Sequence, residues 1–134
     1  MTPTDNARIV AERYARAWAA DDLAGILDCY ADEFTLHYFG NNPFSGDHVG
    51  KDTAFSVLLE VGARAPRMLV AVDEILAGPD AAVLVAREQI TVDGVAHLVR
   101  RVLRYRVVAD RFTECWLYEE DQALIDRAWS TAPT

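Results

Sequence analysis

Positive charge is scarce in this chain. Thirteen Lys and Arg face 21 Asp and Glu, a formal net charge of −8. Such a balance argues against unaided binding to nucleic acid or to an anionic membrane, both of which favour basic patches. Long apolar runs are missing as well. None approaches the ~20 residues of a membrane-spanning helix, and the opening MTPTDNARIVAERY lacks the apolar stretch of a secretory signal. Cysteine is nearly absent, represented by Cys29 and Cys115 alone. No disulfide framework can be read from two thiols, and the Cys–His spacings match no zinc motif, so no metal is expected. The expectation is a cytoplasmic protein with two free thiols.

What remains is ordinary globular material. Of 134 residues, 51% are hydrophobic and 25% charged, enough for one domain over residues 1–134 with a core that needs neither metal nor disulfide. Thr4 suits the N-cap of a first helix. Within residues 6–20, Ile9, Val10, Arg13, Tyr14, Ala17 and Trp18 recur at helical spacing, placing Tyr14 and Trp18 one turn apart on a shared face. Asp21-Asp22 interrupts the chain, and Leu23, Ile26, Leu27 and Tyr30 mark a shorter helix. A strand is predicted at about 33–39, a loop over Gly40–Gly50, and a third helix at about 51–63 with Phe55, Leu58, Leu59 and Ala63 inward.

From Arg67 the pattern becomes β: 67–77, 81–93, 95–108 and 111–118. Asp93-Gly94 between Val92 and Val95 is a type I′ hairpin signal and fixes a register. A helix from Asp121 to Trp129 closes the chain. Helices followed by an antiparallel meander predict an α+β fold, with helices packed on one face of a curved sheet.

The hairpin register assigns faces. Pairing Val92 with Val95 sets Ile90 opposite His97, Glu88 opposite Val99, Ala86 opposite Arg101 and Leu84 opposite Leu103, all on one side. Pairing Arg104 with Glu114 in the next hairpin adds Tyr105, Thr113, Cys115 and Leu117 to that side. Glu88 then has His97 and Arg101 as diagonal neighbours in an apolar cup. Such a cup disfavours a carboxylate's charge while a guanidinium favours it, a conflict typical of sites and also of buried structural networks. The opposite face carries Leu98, Arg100, Val102, Arg104, Arg106, Phe112, Glu114, Trp116 and Tyr118. Aromatics with arginine suit an interface, so a homodimer through this outer face is expected; the alternative is a face covered by the last helix and Trp129.

The stretches AERYARAWAADDLAGILDCYADEF, GNNPFSGDHVGKD and DRFTECWLYEEDQALIDRAW resemble the NTF2-like superfamily, nearest its SnoaL-like and ketosteroid isomerase-like branch. The resemblance spans nearly the whole chain. It implies a cone-shaped α+β barrel around one pocket, with three N-terminal helices on a curved, mostly antiparallel sheet and a C-terminal helix. It leaves the reaction open, since the superfamily includes isomerases, cyclases and non-catalytic binders. Ketosteroid isomerase uses an aspartate base with a tyrosine and a protonated aspartic acid as oxyanion donors. By the resemblance, Tyr14 falls on the donor tyrosine. The base position falls on Tyr38, between the non-acidic His37 and Phe39, and the neutral-acid position on Leu103, give or take one residue. Ordinary ketosteroid isomerase activity is therefore not expected.

Tyr38 with Tyr14 would instead form a two-phenol oxyanion hole, and Glu88 or His97 would supply the base, with Arg101 tuning Glu88. Trp18, Phe34, Leu36, Phe55, Leu103 and Tyr105 would wall the pocket. The resulting expectation is a cofactor-independent isomerase or cyclase acting by proton transfer on a hydrophobic, carbonyl-bearing small molecule. The alternative is a binder or dimeric interaction module without turnover, in which the tyrosines only line a cavity. Asp47 and His48 in the loop are read as shaping the fold, Glu119-Glu120 and Asp121 as the acidic start of the last helix, Cys115 as a small core residue, and Ser45 as lacking a nucleophile's setting.

Overall fold

A computed structural model of the chain describes residues 1–131. Helix α1 spans Pro3–Ala19. It is capped by Thr2 rather than Thr4: the Asp5 N–H donates to the Thr2 hydroxyl and the Thr2 N–H to the Asp5 carboxylate, a reciprocal capping box that places Pro3 in the first turn, where its missing N–H costs nothing. Ala7, Val10, Ala11, Tyr14 and Ala17 form its buried stripe. Helix α2, Leu23–Asp28, is capped by Asp22, whose carboxylate accepts from the Gly25 N–H. Tyr30 does not extend it. That residue opens strand β1, Tyr30–Tyr38, and the predicted loop contains a short strand β2, Gly46–Val49.

Helix α3, Lys51–Arg64, buries Ala54, Val57 and Val61. The packed stripe is therefore rotated from the predicted one, and Leu59 is 51% exposed. Its larger apolar residues face a cavity instead of the sheet. Four long strands follow: β3 Arg67–Ala77, β4 Ala81–Val92, β5 Val95–Val108 and β6 Arg111–Glu119. Helix α4, Gln122–Trp129, is capped by Asp121.

The six strands form one sheet in the order β2-β1-β6-β5-β4-β3, with β1–β6 the parallel pair. Bulges in β3 and near the β5–β6 turn add the local bending that a curved sheet needs. The sheet does not close, so β2 and β3 are its edges. Helices α1 and α3 pack against it, α1 on β3 and β4 and α3 on β1. The architecture is the α+β cone with four helices that the sequence resemblance implied.

The β4–β5 register matches the reading of Asp93-Gly94 pair by pair, from Val92↔Val95 to Leu84↔Leu103. Asp93 at φ 53° and Gly94 at φ 76° supply the two positive angles of a type I′ turn. The β5–β6 register differs. Arg104 pairs with Trp116, not Glu114, because the turn carries Ala109 at φ 53° and a bulge falls between Arg106 and Val107. A shift of this kind keeps most residues on their predicted faces but changes their partners. Phe112, beyond the bulge, is fully buried instead of facing outward.

Candidate active site

The inner sheet face and the helices α1 and α3 enclose a cavity of about 540 Å³. Trp18 and Phe55 form part of its helical wall, and Leu103 and Leu117 part of its sheet wall. Tyr14, Glu88, Arg101 and Arg67 bring polar groups to it. Cavities of this size, mostly apolar with a few convergent polar groups, are the common form of small-molecule sites.

Arg101 organises the polar floor. Its Nε donates to Glu119 Oε1 at 2.8 Å and its Nη2 to Glu119 Oε2 at 2.6 Å, the parallel fork that guanidinium and carboxylate planes favour. Its Nη1 reaches Glu88 Oε1 at 3.4 Å, and Nη2 also donates to the Tyr38 hydroxyl at 3.3 Å. The guanidinium lies 5.9 Å from the Trp129 ring centre. All three charged side chains are nearly enclosed, at 3% exposure for Arg101 and 2% for both glutamates. Burial works against the Arg101 charge, but Glu119 and Glu88 outweigh it and hold the guanidinium well above its ordinary pKa. One group is left over. Glu88 Oε2 is buried and has no hydrogen-bond partner among the described residues.

Tyr14 sits in an aromatic cluster, 5.3 Å from Tyr105 and 5.5 Å from Phe112 between ring centres. Burial raises its phenol pKa, while hydrogen bonding with Tyr105 and Tyr30 opposes the rise. Burial likewise raises Tyr38, against the nearby Arg101. Both phenols are therefore protonated at neutral pH and are donors, not bases.

The structure gathers Tyr14, Trp18, Phe55, Glu88, Arg101 and Leu103 around the cavity. Others predicted for the site lie elsewhere. Tyr38 is buried behind Arg101, in a different hydrogen-bond network from Tyr14. Phe34 and Leu36 are core residues of β1, and Tyr105 stacks on Phe112 behind Tyr14 at 3.9 Å. His97 shares the inner face with Glu88, near the turn of the β4–β5 hairpin. Among the described residues it makes no hydrogen bond or ion pair with Glu88. Glu119 is the main residue that the sequence reading missed. It is the last residue of β6, opposite Arg101, rather than part of the start of α4, and only the bulge-shifted register reveals it. Arg67 was missed because no turn residue fixes the β3–β4 register in advance.

On the outer face, His37 is held between Asp47 at 2.7 Å and Glu114 at 2.6 Å and stacks on Trp116. Leu98 and Tyr118 are 64% and 43% exposed there. The last helix does not cover this face: Trp129 is fully buried against Arg101. In the loop, the His48 Nε2–H donates to the Phe44 carbonyl at 2.6 Å, consistent with a shaping role.

Residues 11–115 match the SnoaL-like domain family. No curated protein matches the sequence. A protein of unknown function with a cystatin-like fold from Xanthomonas campestris superposes with a TM-score of 0.84 at 22% identity, covering 96% of this chain and 98% of that one. An NTF2-like protein from Burkholderia xenovorans LB400 does so with 0.76 at 17% identity, over 93% and 97% of the two chains. TerC, co-crystallized with polyporic acid, gives 0.78 at 14% identity, over 95% and 98%. At these identities the likeness establishes the fold.

Proposed function

The chain belongs to the SnoaL-like domain family, and from that premise we propose that it is a cofactor-independent enzyme of the ketosteroid isomerase-like type, an isomerase or cyclase moving a proton on a hydrophobic, carbonyl-bearing small molecule. The observation that carries this reading is Glu88: a carboxylate oxygen without a partner among the described residues, on a side chain that lines an apolar cavity. A general base needs a free lone pair as well as access to the substrate's proton, and the unpaired Oε2 supports Glu88 in that role. Tyr14, protonated and on the cavity wall, is the phenol placed to polarise a carbonyl. Tyr38 acts at one remove, through Arg101.

Turnover of conjugated ketones by the wild type, Glu88→Gln and Tyr14→Phe tests the reading. Loss of two or more orders of magnitude in kcat for Glu88→Gln is the expected result, since general base catalysis contributes roughly 10²–10⁴-fold. Unchanged turnover removes Glu88 as the base. The second reading, a non-catalytic binder, is favoured by the Arg101–Glu88 contact at 3.4 Å, which neutralises the carboxylate. Tight binding of the same ketones without turnover, unaffected by Glu88→Gln, would establish it.

The same proposal includes a homodimer through the outer sheet face, supported by the exposure of Leu98 and Tyr118 beside Trp116 and its arginines. Leu98→Asp is expected to leave a monomer in sedimentation experiments, and a wild-type monomer would refute the dimer. A cytoplasmic location fits the two buried, unpaired cysteines.

A further inference from the structure

Glu88 has a second charged neighbour besides Arg101. In the β3–β4 pairing, Arg67 stands opposite Ile90 and Leu69 opposite Glu88. Arg67 is thus the diagonal neighbour of Glu88 on one side, as Arg101 is on the other, where Glu88 pairs with Val99 and Ala86 with Arg101. Diagonal partners lie about 7–8 Å apart at Cα, within reach of long side chains. Together with Glu119 opposite Arg101, four consecutive strands each contribute one charge. Their signs alternate along the row: Arg67, Glu88, Arg101, Glu119.

The row is not evenly joined. Glu119 and Arg101 are forked together, and Arg101 reaches Glu88 Oε1. Between Glu88 and Arg67 there is no ion pair among the described residues. The Arg67 guanidinium instead lies 5.9 Å from the Trp129 ring centre, the indole that Arg101 also approaches, and it makes no hydrogen bond or ion pair to any described residue. Asp21, the other acid on the cavity wall, is exposed at its rim and does not pair with it. Burial raises the phenols of Tyr14 and Tyr38, and the Arg67 charge is among those that oppose the rise, so its field reaches the interior. Among the described residues, an acceptor oxygen without a donor and a cation without an acceptor therefore belong to side chains that line one apolar cavity, one diagonal step apart.

We propose that this gap is the substrate's polar anchor, that Arg67 is the catalytic residue that receives the developing oxyanion, and that the site selects molecules carrying an acidic C–H beside a carbonyl, foremost 1,3-dicarbonyls. This rests on Glu88 as the base and deepens that reading. Glu88 Oε2 takes the proton from the carbon between the carbonyls. The C–H electron pair moves into the adjacent carbonyl, whose oxygen becomes an enolate facing Arg67. Return of the proton from Glu88 to the enolate oxygen restores the carboxylate and completes a keto–enol isomerisation. The row stays charge-balanced throughout: as Glu88 becomes neutral, the enolate carries the negative charge in its place, now beside Arg67.

The test uses 1-phenylbutane-1,3-dione, whose enolate and neutral forms absorb at different wavelengths. It is titrated into the full chain at constant pH, with binding followed by the fluorescence of the protein's tryptophans. The bound enolate-to-neutral ratio is expected to be about tenfold higher in the wild type than in Arg67→Gln, the equivalent of one unit of probe pKa. Arg67→Lys, which keeps the charge but loses the fork, is expected to fall between them. Equal ratios in wild type and Arg67→Gln, or no binding by the wild type, would overturn the assignment. Glu88→Gln separates the two claims. An enolate signal that survives there, with proton-transfer turnover also intact, sinks Glu88 as the base and leaves Arg67 standing. A signal lost only in Arg67→Gln, with turnover of other ketones still dependent on Glu88, confines the role of Arg67 to selectivity.

Discussion

Removing Arg101 should reveal how much of the molecule's stability depends on one enclosed cation. Arg101→Met keeps the length and apolar bulk of the side chain but strands Glu88 and Glu119, each with a side chain only 2% exposed. A buried glutamate with no partner escapes by taking a proton. At pH 7, starting from an ordinary value near 4.3, that uptake costs about 3.7 kcal/mol. Water reaching the loosened site relieves part of the penalty for the second carboxylate. The expected loss is about 3–5 kcal/mol, the range for breaking a buried pair by deleting one partner. In a chain of this size that corresponds to a fall in Tm of roughly 10–20 °C. The assay is urea unfolding followed by circular dichroism, comparing wild type, Arg101→Met, and a triple variant that adds Glu88→Gln and Glu119→Gln. The triple variant should recover most of the loss, because neither amide carries a charge to strand. A loss under about 1 kcal/mol in the single variant, or no recovery in the triple, would refute the reasoning.

Three further outcomes follow from the geometry. Burial lowers the His37 pKa, but the bonds to Asp47 and Glu114 outweigh it and raise the group above 6.5. Its stabilising contribution is therefore complete below pH 6.5 and fades as pH rises through the higher folded value. The Tm difference between wild type and His37→Asn should be largest near pH 5.5 and shrink by pH 8.5, and a flat difference would exclude the linkage. Burial pushes the Cys115 thiol up to about 12, and Cys29 is also buried. Neither should react with a disulfide reagent at pH 8 until the chain is unfolded, whereas fast labelling of the native protein would contradict the packing. Gly40 has φ +98°, and a Cβ there would meet the Gln122 and Asp126 side chains. Gly40→Ala should cost roughly 1–3 kcal/mol in urea unfolding and disturb the Asn42–Asp126 bond that ties the loop to α4.

How far the sequence discloses this molecule depends on whether a turn announces its register. Asp93-Gly94 allows one conformation, and every β4–β5 partner follows from it, including the diagonal of Glu88 and Arg101. The β5–β6 turn carries no such signal. Ala109 takes a positive φ that its side chain does not favour, and a bulge then moves Glu119 beside Arg101. Local pattern holds no record of that displacement. The cavity wall was half legible for a similar reason. Alternation along β1 identifies Phe34, Leu36 and Tyr38 as inward, but inward means core in some places and cavity in others. Which applies depends on the helix above, and the face that α3 presents to the sheet differs from the one its largest residues suggest.

The parallel pairing of β1 with β6 has a consequence for the birth of the protein. His37 and Glu114 bond across 77 residues of chain, so β1 is made well before the strand that becomes its main neighbour. Until then Phe34, Leu36 and Tyr38 have no strand on that side to shelter them. Loop closure on this scale slows folding and lengthens the time for which apolar strand surface is open to other chains. β6 is also the strand that carries Glu119. A nascent chain halted before that point would hold the central cation without its firmest counter-ion, so the chemistry of the floor and the last hydrogen bonds of the sheet are completed by the same late event.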